Sequence, residues 1–223
     1  VCFSAKASFA AAGCLTVISG LSLRKTASKK MHRMIPLALS PFCVALQQFC
    51  EGIVWLYLTN VIEKPLGIIG IYGFVVFAAV WWPIWIPLAI YCAENVLWRK
   101  RFLFFVILIG CITAALFFVS LCTHSIQIDM TNHHLYYSTL SKPFNSSNSA
   151  TTHLEYTLFT MYLVAVLLPF FITRIPYAWT IGMVLGSSFI VSQLLSHAAA
   201  PSLWCFFAAL SSGLVYWIIT KQK

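Results

Sequence analysis

Apolar residues dominate seven stretches of the chain, roughly 3–23, 34–60, 66–93, 102–122, 154–173, 176–197 and 200–220, and polar residues collect between them. Each stretch approaches or exceeds the ~20 residues that an α-helix needs to cross hydrocarbon. The pattern predicts an all-α, polytopic integral membrane protein with seven transmembrane helices, forming a single domain over residues 1–223. The first stretch has no basic segment before it and no cleavage site followed by a soluble domain, so it reads as a membrane helix and not as a signal peptide. Pro83 and Pro87 remove backbone donors inside the third stretch and predict a kink there. The one long connection, about 123–153, carries a Ser/Asn-rich run after Lys142 that reads as an exposed loop, and Asn145-Ser146-Ser147 is a formal glycosylation sequon.

The charges sharpen this picture into an orientation. Arg24, Lys25, Lys29, Lys30 and Arg33 lie between stretches one and two; Arg99, Lys100 and Arg101 follow stretch three; Arg174 follows stretch five; Lys221 and Lys223 end the chain. These alternate segments hold eleven of the fourteen basic residues. Cytoplasmic loops are the ones enriched in Lys and Arg, so the N-terminus is expected outside and the C-terminus in the cytoplasm. The other side then gathers Glu63, Asp129, Glu155 and five of the six histidines: His124, His133, His134, His153 and His197.

Composition supports the same class. Hydrophobic residues make up 61% of the 223, charged residues only 9%, and mean hydropathy is +0.88. A soluble domain carries about 25% charged residues, so too little charge is available here to coat a water-facing surface. The net charge of +9 does not indicate nucleic acid, because the cations sit in short runs beside apolar spans and not on a broad basic face. Most of the eight cysteines lie in or beside apolar spans, where Cys behaves as a small hydrophobe, and no C-x-x-C pair supports a zinc or dithiol site. Cys2 and Cys122 both fall near the expected outer surface, within reach of a pairing.

Candidate chemistry rests on polar residues inside the spans. In the run Gln47-Gln48-Phe49-Cys50-Glu51-Gly52, Ser40, Gln47 and Glu51 share one helical face by seven- and four-residue spacing, with Cys43 and Cys50 beside them. A carboxylate at this depth costs several kcal/mol if it is ionised and unpaired, so Glu51 is expected to be protonated, paired or turned to a water-filled cavity. Two readings stand: a proton- or cation-responsive site, or a buried Glu that holds helices together through hydrogen bonds. Lys6 either reaches toward Glu51 or, as the favoured reading, snorkels to the outer interface. Gln193 and His197 lie on a second polar face with Gly182 and Gly186, and they either line a cavity with Glu51 or serve helix packing. The external histidines show no spacing that makes three or four ligands converge, so no metal site and no cofactor is expected. Glu94, followed by Asn95 and then Arg99, Lys100 and Arg101, is expected to form an interfacial salt bridge, and Trp81, Trp82, Trp85 and Trp98 are expected to act as packing and interface anchors.

Two short echoes, Ile35-Pro36 with Ile175-Pro176 and Phe77-Ala78-Ala79 with Phe207-Ala208-Ala209, suggest a 3+1+3 arrangement of parallel repeats of the kind found in transporters. Three motifs run in order: Cys2-Phe3-Ser4-Ala5-Lys6-Ala7-Ser8-Phe9, then Gln47-Gln48-Phe49-Cys50-Glu51-Gly52-Ile53-Val54-Trp55, then Ser202-Leu203-Trp204-Cys205-Phe206. Together they resemble an uncharacterised bacterial family of multi-pass membrane proteins whose members begin Met-Cys-Phe-Ser; Val1 stands here in place of the Met. The resemblance implies the bacterial inner membrane and no established activity.

The leading reading of function is a small transporter or channel for a solute or ion, with Gln47, Gln48, Glu51, Gln193 and His197 around a polar cavity and membrane lipid as the surrounding partner. The alternative is a sensory or binding membrane protein, or an accessory subunit, working as a homo-oligomer or within a membrane complex. An intramembrane hydrolase using Ser187 or Ser188 with His197 is a distant third, since no oxyanion donors are identifiable. A retinal-binding pump is excluded because residues 200–220 contain no Lys.

Overall fold

The computed structural model describes residues 4–124, 126, 128–131, 134–137, 149–195 and 200–222. Helices dominate: α1 (Ala5–Ser28), α2 (Ile35–Leu58), α3 (Lys64–Val75), α4 (Trp82–Ala93), α5 (Leu97–Thr123), α6 (Ser149–Ile172), α7 (Ala178–Leu195) and α8 (Ala200–Lys221). A π-helical segment, Val76–Trp81, joins α3 to α4 into one rod. Five of the resulting rods, ending with the one that carries His153–Ile172, are long and apolar enough to cross a membrane, and the described apolar parts of α7 and α8 cover Ala178–Leu194 and Phe207–Lys221.

α2 is the central helix. Two-thirds of its apolar window (67%) is buried, against 28–44% for the other four long helices, and it packs on α1, α3, α4 and α8. α4 is the second hub, against α2, α5 and α6, while α7 packs mainly on α6 and α8. α5 faces outward with Phe102, Phe104, Phe105, Leu108 and Ile112 exposed, a stripe that suits a lipid solvent and not water.

The proline-containing rod explains itself from its backbone. Pro83 has no N–H, so it cannot close the five-residue hydrogen bond of a π-turn onto Ala78. The Tyr162 hydroxyl of α6 donates to the Ala78 carbonyl instead, at 2.6 Å. Pro87 likewise cannot donate to Pro83, and the freed Pro83 carbonyl is where α5 closes in: a Cβ added at Gly110 would overlap that oxygen. Where the prolines predict a kink, the backbone holds a π-segment placed just before Pro83.

Glycines also fix the α2–α3 contact. Gly67, Gly70 and Gly73 recur every third residue along α3, and added Cβ atoms there would crowd Tyr57, Ile53 and Cys50 of α2. Small residues on one helical stripe let two backbones approach closely. In the connection after α5, strands β1 (Ile128–Thr131) and β2 (His134–Tyr137) pair antiparallel, with Ile128 opposite Tyr137. Leu135 and Tyr137 point to one side by the two-residue period of a strand and are fully buried, and the Tyr137 ring stacks on Phe74 with centroids 4.6 Å apart. Part of what read as external loop is therefore a hairpin packed on the α2–α3 end.

The helix ends at the basic side are tied by side chains. Lys29 Nζ donates to the carbonyls of Thr220 and Gln222, supplying a cation and a donor to the C-terminal end of α8. Arg99 donates to the Ile172 carbonyl at 2.6 Å at the end of α6. α1 closes with Lys30 N–H on Ala27 and Met31 N–H on Thr26, which puts Lys30 in the left-handed region at φ 54°. α2 closes the same way through Asn60 at φ 57°, a residue that tolerates this conformation better than Lys.

Candidate functional site

The polar face of α2 is buried throughout. Gln48 and Glu51 have no exposed surface, and Gln47 has 1%. Gln47 is a bridge between helices: its carbonyl oxygen accepts from the Trp82 indole at 2.7 Å, and its amide donates to Cys205 Sγ at 2.9 Å. One side chain thereby links α2 to α4 and α8. Ser40, two turns away, accepts from the Trp85 indole at 3.0 Å, so both tryptophans of α4 spend their N–H groups on α2. These two tryptophans reach the α2 polar stripe through donor bonds as well as through packing.

Gln48 and Glu51 form a second unit. The Gln48 amide donates to Glu51 Oε2 at 3.0 Å, which sets the orientation of the amide and turns its oxygen elsewhere. Among the described residues that oxygen, Gln48 Oε1, is buried without a hydrogen-bond partner, and so is the indole nitrogen of Trp55. Residues 48, 51 and 55 lie on one helical face by three- and four-residue spacing. A carboxylate, an unanswered acceptor and an unanswered donor thus share one stripe of the central helix. Unanswered buried polar atoms cost about 1–3 kcal/mol each and call for an explanation, such as an ordered water, an ion or a functional role. Gly52 lets Phe9 of α1 close over the same turn, since an added Cβ would lie 2.7 Å from the Phe9 ring.

Lys6 is exposed on the first turn of α1, whereas Glu51 is fully buried. Gln193 is half-buried on α7, whose main neighbours are α6 and α8, and among the described residues no hydrogen bond joins it to Gln47, Gln48 or Glu51. His197, Cys2 and the Asn145 sequon lie outside the described residues. Ser188 is buried and donates to the Leu185 carbonyl at 2.9 Å, and Ser187 donates to Val184 at 3.2 Å, the back-bonding of serines inside an apolar helix.

Glu94 has a different role from the expected salt bridge. It follows α4 directly and is only 2% exposed. Its Oε1 accepts from the backbone N–H groups of Asn95 (2.8 Å) and Val96 (2.9 Å), and its Oε2 accepts from the Thr173 hydroxyl (3.0 Å) and the Arg174 N–H (2.7 Å). Burial pushes this carboxyl up, but the four hydrogen bonds outweigh it and hold Glu94 below its ordinary range. The carboxylate ties the turn that leads into α5 to the turn between α6 and α7. Arg99, Lys100 and Arg101 nearby in the sequence suggest charged partners, whereas backbone donors leave no such signature.

The fold and this polar stripe define a helical protein with several apolar helices of membrane-crossing length and a buried carboxylate on its central helix. The chain belongs to a family of unknown function, DUF6629, which matches residues 1–223. No curated protein matches the chain, and no solved structure does.

Proposed function

We propose that the protein is a small seven-span carrier or channel of the bacterial inner membrane, in which the Gln48–Glu51–Trp55 stripe meets a small solute or ion. The basic turns face the cytoplasm and the N-terminus lies outside, following the distribution of Lys and Arg. α7 and α8 supply the last two crossings. The packing of α4 on α6 has a counterpart in the packing of α8 on α1, which supports two related three-helix halves.

The observation that carries the proposal is Glu51. An ionisable group in the core of a membrane helix is expensive and is by default functional. It sits 16 positions into α2, about 24 Å from the basic end at 1.5 Å per residue, next to polar atoms that no described residue satisfies. The π-segment on the neighbouring rod is the kind of local irregularity that recurs at functional sites and lets a helix shift.

A second reading, an accessory or sensory membrane protein, draws support from Gln47, whose two side-chain bonds serve helix packing alone. Reconstitution separates the two. Proteoliposomes loaded with a pH-sensitive dye and driven by a potassium gradient with valinomycin should show protein-dependent proton uptake, and Glu51→Gln should remove it. Uptake equal to that of empty vesicles, or unchanged in the variant, would leave the packing role as the account of Glu51.

A further inference from the structure

The basic end of the bundle holds a cavity of about 660 Å³ that the Glu51 stripe does not touch. Its polar wall is Lys30, His32, Arg33, Arg174, Asn95 and Gln222, and Met31, Ile175 and Pro176 contribute an apolar side. Among the described residues Glu94 is the one acid on the lining, and its two oxygens are already taken by four donors. The cavity therefore presents three permanent cations and a histidine against an acid that is turned to the backbone. Arg33 is aimed by its hydrogen bond to Asn95 Oδ1.

Lys30 adds an independent sign. It occupies the left-handed position that ends α1, where glycine fits without cost and where a Lys side chain is strained. A turn that only had to close would do better with Gly or Asn, as α2 does with Asn60. The Lys at this position places a cation on the cavity rim at the expense of the turn.

We infer that this cavity binds a phosphate-bearing anion. Guanidinium forks and an ammonium match phosphate oxygens, and the apolar wall accommodates the carbon skeleton to which a phosphate is attached. The group can belong to an anionic phospholipid at the membrane surface or to a soluble phosphate, since both present the same oxygens. The cavity lies about 24 Å along α2 from Glu51, so the inference does not depend on transport at that residue.

The test uses the full chain in nanodiscs of phosphatidylcholine. One arm adds inorganic phosphate; the other replaces part of the lipid with phosphatidylglycerol. The expected result is a rise in Tm in at least one arm, weakened by added salt. A rise with inorganic phosphate identifies a soluble ligand, and a rise with phosphatidylglycerol alone identifies the lipid headgroup. The double variant Lys30→Gly/Arg174→Gln should fold as well as the wild type, because glycine relieves the left-handed turn, yet bind about tenfold or more weakly after losing two charge-assisted contacts. Lys30→Gly alone guards against a folding defect: it should keep or raise the basal Tm and reduce the ligand-dependent rise. No rise in either arm, or a rise of unchanged size and concentration dependence in the double variant, would overturn the inference.

Discussion

Gly110→Ala should cost the protein about 3 kcal/mol or more, the upper end of what overpacking a tight contact takes. The added Cβ would overlap the Pro83 carbonyl oxygen and lie 2.8 Å from its carbonyl carbon. Both are backbone atoms, so no rotamer change relieves the clash and α4 and α5 must move apart. That contact belongs to the second hub of the bundle, and the same displacement would disturb the π-segment and the Tyr162 bond to Ala78. Gly13→Ala and Gly20→Ala provide the contrast. Nothing lies within 4 Å of a Cβ at either position, so these substitutions should be neutral or gain up to about 1 kcal/mol in helix propensity. Unfolding of the purified protein in mixed micelles compares all three, and Gly110→Ala at wild-type stability would contradict the packing described for α4 and α5.

Glu94→Gln should be the second large loss, about 2–3 kcal/mol at neutral pH, because a neutral amide offers one acceptor oxygen where the carboxylate serves four donors. Its pH dependence has a definite sign. The folded protein holds this carboxyl below its ordinary range, so the stabilisation is fully present above the unfolded-state value and is lost as pH falls through the folded-state value. Wild type should therefore weaken on acidification more steeply than the variant, and the two should converge at the acid end. Parallel pH profiles of Tm for wild type and Glu94→Gln would mean that the backbone cradle contributes little.

The helices and their alternating connections were legible in the residues because apolar run length and the positions of Lys and Arg are one-dimensional signals. α2 and the α3–α4 rod came within two residues of their expected bounds, and α1 and α5 extended further because Arg24, Lys25, Arg99, Lys100 and Arg101 are helical. The hairpin at residues 128–137 was missed. Its alternation is short, and only the burial of Leu135 and Tyr137 against the α2–α3 end reveals it. The three-residue recurrence of Gly67, Gly70 and Gly73 is a sequence signal for the α2–α3 contact.

For the site, the spacing of Ser40, Gln47 and Glu51 did place them on one buried face. What spacing cannot give is which helices pack on that face. α4 and α8 supply Trp82 and Cys205 to Gln47, whereas Gln193 belongs to a helix that packs elsewhere. Trp55 went unremarked as a polar group, because an indole in an apolar run counts as hydrophobic until its N–H is seen without an acceptor. The basic cavity is assembled from three turns distant in sequence and Gln222 after α8, and only the positive-inside pattern hinted that those segments share one end of the bundle.

The central claim is that Glu51 is a responsive group and not a packing element. Infrared difference spectroscopy of the protein reconstituted in lipid reads it directly. Spectra recorded between neutral and acidic external buffer, with wild type compared against Glu51→Gln, should contain a carboxyl band that responds to the buffer and is missing from the variant. A difference spectrum that is identical in wild type and variant across the accessible pH range would contradict the claim.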